Sequence, residues 1–474
     1  MKIFKTIILS LFLFHIAFAY NDISMSDRQG HFYFADSSKD KELFIRFSAV
    51  DSMRASFMTP KIYFHSFILK GRLEGHLYDN LFFNSAVSLF MDRSNAPIIE
   101  GSYDPADGIP FTKESENTYN WAQVQTNLKY ETKYGNFLAG MDRLQWGTAK
   151  RNPLILRGET QFYRPWSDST TFIFEPASTP YFGYELNFGP LQYTQYAAKL
   201  SQKKNKLKYL NAHRLQMNLP FNVEIGVSEM TVYGSTTEKA NTNPNLDADS
   251  ADRHFEWIYA IPLLPYMFAE PFLGDLDNNA LAFDFKVNAF KNWELYGEIF
   301  LDDLLNPLSA FNSDWWGDKW AASIGVTKSG LCLSSVCFTF NAEYTRIEPW
   351  VYTHHKGDGY TYQNYGSSLG SDLGPNAQEI YTSLSADYKK FGFKLEASRV
   401  DKDTAFGGKI NDIHGPLSSN KKRFLDPKST IHYKELKAAV FYSPYDFLWG
   451  SFRYSYYFKD YKGYRLESSL GLTW

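Results

Sequence analysis

The sequence predicts an all-β chain: a transmembrane antiparallel β-barrel of about eighteen strands, with short periplasmic turns and long extracellular loops. Three observations predict it. Extended segments along the chain alternate apolar and polar side chains with period two. Short and long connections between those segments alternate as well. The chain ends on RLESSLGLTW, where Leu466, Ser468, Leu470, Leu472 and Trp474 share one face and Arg465, Glu467, Ser469, Gly471 and Thr473 the other.

The elements follow in order. Lys2 and Lys5 precede an apolar run from Ile7 to Ile16, and Ala17-Phe18-Ala19 follows. That is the pattern of a secretory signal peptide, residues 1–19, with the mature chain starting at Tyr20. No Cys follows the cleavage site, so no lipid anchor is expected. Residues 20–60 read as an N-terminal periplasmic segment with a possible first strand; Glu42–Val50 suits a helix or a strand. Residues 61–474 read as the barrel.

From residue 61 the pattern gives seventeen strands: 61–77, 81–92, 119–130, 134–142, 181–188, 190–199, 209–218, 221–232, 279–288, 292–302, 318–328, 336–346, 378–388, 391–401, 431–443, 447–457 and 463–474. An even barrel needs one more, within 42–50 or 30–36. In 279–288, Leu281, Phe283, Phe285 and Val287 oppose Ala282, Asp284, Lys286 and Asn288. Inward Lys70, Arg72, Glu74, Glu294, Glu298, Arg453 and Glu467 belong to a polar lumen.

Composition removes other classes. After residue 19 no run of eighteen apolar residues occurs, and mean hydropathy is −0.38, which excludes membrane-spanning helices. A net charge of −3 gives no case for nucleic acid. Aromatic residues make up 18% of the chain, which suits either a soluble periplasmic β protein or a barrel with aromatic girdles. The asymmetry of the connections decides for the barrel, because a soluble sandwich has no reason to keep it. In hydrocarbon an unpaired N–H or C=O costs several kcal/mol, so the sheet must close. The expected place is the outer membrane of a Gram-negative bacterium, as a monomer surrounded by lipid. Trp474 then sits in the girdle. A terminal aromatic on an alternating strand resembles the C-terminal assembly signal that outer-membrane proteins present to the barrel-assembly machinery. Cys332 and Cys337, in CLSSVC, are either a disulfide across a hairpin or two free thiols.

Several long-loop stretches are less generic: WGTAKRNPLIL (146–156), Gly274-Asp275-Leu276-Asp277-Asn278, Leu301-Asp302-Asp303-Leu304, and the run from Glu343-Tyr344-Thr345 to Gly374-Pro375. Their order and wording resemble the capsule-assembly, Wzi-type family of outer-membrane proteins. The resemblance implies an eighteen-strand barrel and a role in holding capsular or other surface polysaccharide. Family members also carry a periplasmic helical bundle, for which 20–60 is too short.

Glycan binding fits the loop chemistry, since sugars offer C–H faces to aromatics and hydroxyls to charged groups. The candidates are Trp315, Trp316, Trp350, Tyr360 and Tyr362, with Asp302, Asp303, Glu343, Arg346 and His354. Each has a plainer alternative. Aromatics at strand ends are commonly girdle residues, and Asp302, Asp303 and Glu343 suit a lumenal network that anchors loops. No G-x-S-x-G and no H-E-x-x-H occurs. No enzyme chemistry, metal or cofactor is therefore expected. The competing function is a substrate-selective porin for oligosaccharides or other small solutes.

Overall fold

A computed structural model describes residues 43–58, 61–95, 111–115, 117–158, 178–200, 207–235, 253–273, 277–302, 311, 314–364, 367–415 and 418–474. The signal-peptide reading of 1–19 and the alternative strand at 30–36 lie outside the described residues.

The first strands are β1 (Phe44–Ser56), β2 (Ile62–Tyr78) and β3 (Leu81–Ser94). A short β4 (Phe111–Ser115) lies against the outer end of β5 (Thr118–Thr132) and pairs with nothing else. Next come β6 (Gly135–Asp142), β7 (Thr179–Phe188), β8 (Leu191–Leu200), β9 (Lys208–Leu219) and β10 (Val223–Gly234). They are followed by β11 (Asn278–Phe290), β12 (Trp293–Asp302), β13 (Trp320–Leu333) and β14 (Val336–Ile347). The two-residue strands β15 (Gln363–Asn364) and β16 (Ser367–Ser368) form a separate small ladder. The last are β17 (Ala377–Tyr388), β18 (Phe391–Asp403), β19 (Thr430–Tyr445), β20 (Leu448–Lys459) and β21 (Gly463–Thr473).

Without β4 and the small ladder, eighteen antiparallel strands remain in one sheet. The sheet closes because β1 pairs with β2 on one side and with β21 on the other, Ser48 opposite Thr473 and Ser56 opposite Arg465. No wall strand is left with a free edge, as hydrocarbon requires. The strand that makes the number even is β1, so the described part of the 42–50 segment is strand, not helix, from Phe44 on.

Period two settles which side chains face out. Leu295, Phe393 and Leu436 point outward and are 43%, 45% and 50% exposed. Their neighbours Tyr296 and Glu435 point into the lumen and are buried. The closing strand follows the same rule, with Leu472 and Trp474 exposed on the outside. Short turns gather at the end that also carries Phe44 and Trp474. Asn292, Ser334 and Lys389 take φ of 60°, 54° and 51° there, the left-handed conformation tight hairpins use. The strand read as 318–328 runs on to Leu333. A bulge between Lys328 and Leu331, with Gly330 at φ 64°, keeps the register beyond it. This extension makes Cys332 and Cys337 direct cross-strand partners, with Cα atoms 4.0 Å apart and the two sulfurs bonded.

Candidate functional site

The turn-side half of the lumen carries inward ion pairs: Arg72 lies 2.6 Å from Glu74, Lys129 2.7 Å from Glu131 and Lys286 2.9 Å from Glu224. The long-loop half is filled by the chain itself.

Residues 143–158, which follow β6, fold inward as a plug. Three wall carboxylates hold it, two by its backbone and one by its side chains. Glu298 on β12 accepts the N–H groups of Thr148, Ala149 (2.6 Å) and Leu154 (2.7 Å). Glu343 on β14 accepts those of Lys150, Arg151 and Asn152 at 2.9, 2.9 and 2.8 Å, and the Tyr296 hydroxyl at 3.0 Å. Glu379 on β17 accepts the Arg151 guanidinium at 2.9 Å and the Asn152 amide at 2.9 Å. Charge-assisted bonds to backbone N–H groups are the strong kind. Gly147 must be glycine: its φ is +105°, and a Cβ would lie 2.2 Å from Glu298 Oε1.

The connection from β14 to β17 folds over this plug. Tyr352 and Tyr362 donate their hydroxyls to the carbonyls of Leu154 (2.9 Å) and Ile155 (2.7 Å). Asp302 accepts the Tyr352 N–H at 2.6 Å. Leu154, Ile155, Val351, Tyr352, Tyr362 and Leu373 then pack in one apolar core with inward residues of β8 to β14 and β17 to β20, from Ala198 and Leu210 to Val400 and Tyr457.

Above the plug, three loops build an aromatic rim. Trp315 bridges to Lys421, and the Trp316 N–H donates to the Asn420 carbonyl at 2.9 Å, which ties the β12–β13 and β18–β19 connections together. Trp316 stacks on His414 with ring centres 3.6 Å apart and planes 4° from parallel. Trp350 meets Trp316, Phe406 and His414 edge-on. Arg346 lies over Phe424 at 3.9 Å and pairs with Glu348 at 2.7 Å. Lys421 and Arg423 stand exposed beside them. Burial pushes the His414 imidazole below its usual range and the Lys319 charge adds to this, against the bond to the Ser419 carbonyl. On the β7–β9 side of the mouth a small pocket combines Arg143, Arg157, Thr179 and Asn364 with Leu200 and Leu369.

The sequence candidates therefore fall into two groups. Trp315, Trp316 and Arg346 come to the rim, with Trp350 buried against Trp316 and His414. Asp302, Glu343, Tyr362, Tyr360 and His354 are buried in the scaffold; His354 packs against Tyr360 at 5.4 Å. Asp303 lies outside the described residues. Sequence reasoning missed His414, Phe406 and Phe424, while the basic run Lys421-Lys422-Arg423 reads from sequence as a loop segment suited to an acidic polysaccharide. It placed Glu298 in the lumen without a partner and gave Glu379 no role.

Fold and site together define a class: a Gram-negative outer-membrane β-barrel, here with loops folded into its outer half. No family model matches the chain, and no curated protein matches it in sequence. Solved structures are similar in fold. Wzi of Escherichia coli, described as a carbohydrate-binding β-barrel involved in group 1 capsule assembly, matches with a TM-score of 0.54 at 13% identity, over 90% of this chain and 84% of that one. OccK8 (OprE) of Pseudomonas aeruginosa matches with a TM-score of 0.48 at 9% identity, over 91% and 98%. OpdK of the same organism, an outer membrane protein, gives 0.47 at 9%, over 91% and 99%. At these identities the likeness is one of fold.

Proposed function

We propose that this barrel binds and retains capsular or other surface polysaccharide at the cell surface, by contact alone and without chemistry. One observation carries the reading. The outer half of the lumen is packed with the chain's own apolar side chains, so the surface that meets solutes is the mouth and its rim. That rim offers what a glycan needs. Trp315 and Trp316 supply flat faces for sugar C–H groups, and Arg346, Lys421 and Arg423 suit an acidic polymer. The fold likeness to a carbohydrate-binding capsule-assembly barrel agrees with this reading. A porin would instead need a continuous aqueous path through the same space.

The test is deletion of the gene, followed by staining of cell-bound and shed polysaccharide. Deletion is expected to move polysaccharide from cells to medium. The wild-type gene restores retention, while a Trp315→Ala, Trp316→Ala double variant reaches the membrane as a heat-modifiable barrel and does not. Unchanged retention after deletion would remove the proposal and favour the porin.

A further inference from the structure

Strands β8 to β10 break the barrel's own rule near their outer ends. On the outward phase β9 carries Asn211 and His213, and β10 carries Glu229 and Thr231, where hydrocarbon demands apolar side chains. His213 and Glu229 are cross-strand partners, with the imidazole Nε2 2.9 Å from the Glu229 carboxylate. Burial along these strand ends is continuous rather than alternating, from Met230 through Ser235 for example. Both faces of the wall are covered here.

The outer cover is residues 253–273, part of the β10–β11 connection. This strap comes down the outside of the wall. Glu229 accepts the N–H groups of Tyr266 and Met267 at 2.8 and 3.0 Å. The Leu263 N–H donates to the Tyr193 hydroxyl at 3.0 Å, and Gln195 donates to the Tyr259 carbonyl at 2.9 Å. Tyr233, Tyr259, Tyr266 and Ala269 form a second apolar core, apart from the lumenal one. The strap thus satisfies the polar groups of the wall with its inner face. Its outer face presents Trp257, Ile261, Leu263, Met267, Phe268 and Phe272, between 49% and 83% exposed.

Position says what covers that face. Tyr193, at the foot of the strap, pairs with Leu215, which pairs with Val227, then Phe283, then Ile299. Leu215, Val227, Phe283 and Ile299 are exposed on the outward side of the wall. The apolar face of the strap continues directly from this lipid-facing row. We propose that residues 253–273 are an interfacial anchor, latched to the wall through Glu229, which inserts its exposed apolar side chains into the outer leaflet where acyl chains meet headgroups. The partner is lipid, and the proposal stands independently of glycan binding.

The experiment uses Phe272→Cys in the full chain, labelled with an environment-sensitive fluorophore, the native disulfide left intact, in vesicles of phosphatidylcholine spin-labelled near the headgroup or near the chain end. Phe283→Cys serves as a lipid-facing reference and Lys421→Cys as an aqueous one. The label at 272 is expected to be quenched several-fold more by the shallow spin label than by aqueous iodide. Iodide quenching equal to that at 421 would overturn the proposal. So would shielding from both quenchers combined with cross-linking at 272 between two copies, which would make the strap a self-association surface. Adding Glu229→Ala is expected to release the label to iodide while heat-modifiable migration persists. A label that stays in lipid without Glu229 would overturn the latch.

Discussion

Trp350 and Tyr352 adopt φ of 69° and 70°, a conformation that costs a bulky residue of order 1–3 kcal/mol unless its surroundings enforce it. The enforcement is visible. The Trp350 N–H donates to the Gly407 carbonyl at 2.9 Å, and a Cβ on Gly407 would lie 2.6 Å from the Trp350 ring. His414 completes this cluster, and it makes the rim sensitive to pH. Its folded pKa lies below the unfolded value of about 6.5. The unfolded state therefore binds the proton first as pH falls. Stability from the neutral imidazole is full above about pH 6.5 and is lost as pH falls through the lowered folded value. Acidification below about pH 6.5 is expected to begin loosening the Trp316 stack. The check is the pH-dependent change in tryptophan emission, compared with Trp316→Phe and with His414→Phe. A change that survives in both variants would place its origin elsewhere.

At the scale of elements, the plug is held by acceptors it does not itself possess. Six of its backbone N–H groups, at 148–152 and 154, end on two wall carboxylates. Glu343→Gln is isosteric but turns one accepting oxygen into a donor. Asn152 bonds Oε1, while Lys150, Arg151 and Tyr296 bond Oε2, so either amide orientation leaves a donor facing a donor. A lost charged acceptor costs about 1.5–3 kcal/mol, or roughly ten- to a hundredfold in local opening. Amide exchange at 150–152 is expected to accelerate by about that factor while exchange in β11 and β12 stays unchanged. Uniform acceleration through the wall would mean that Glu343 supports the barrel rather than the plug. These elements also show what the sequence could disclose. The wall strands were legible because lipid on one side imposes period two on every one of them, and the tight turns mark their ends. The plug was not, since Glu343 and Asn152 meet across a separation of 191 residues and no local pattern encodes such a pairing. WGTAKRNPLIL stood out as unusual without revealing which way it folds. For Asp302 and Glu343 the sequence suits a lumenal, loop-anchoring network, and both hold loop backbone. The strap did leave a trace: Asn211, His213 and Glu229 on the outward phase are errors for lipid, and they make sense once residues 253–273 cover them.

For the whole molecule, the ring of strands and its filling make opposite demands. Closure through β1 and β21 gives a circumference of eighteen strands, a size at which barrels with an empty lumen enclose an aqueous channel. The loops folded into the outer half occupy part of that space. Inward positions in the outer half carry Ala212, Ala282, Ala321 and Val400, small or apolar side chains that leave room for a plug and offer nothing to water. In the inner half they carry ion pairs such as Arg72–Glu74, Lys129–Glu131 and Lys286–Glu224, charged groups that suit water. An ion entering from that side meets the carboxylate-clamped plug and the apolar core behind it. Purified protein in planar bilayers is therefore expected to conduct about tenfold less than an open eighteen-strand porin recorded in the same salt, with brief events rather than stable steps. Steady conductance at the porin's level would mean that a path passes the plug, and would return the transport function to first place. Low conductance in the wild type with stable steps in Glu298→Ala, Glu343→Ala would locate the barrier at the clamp itself.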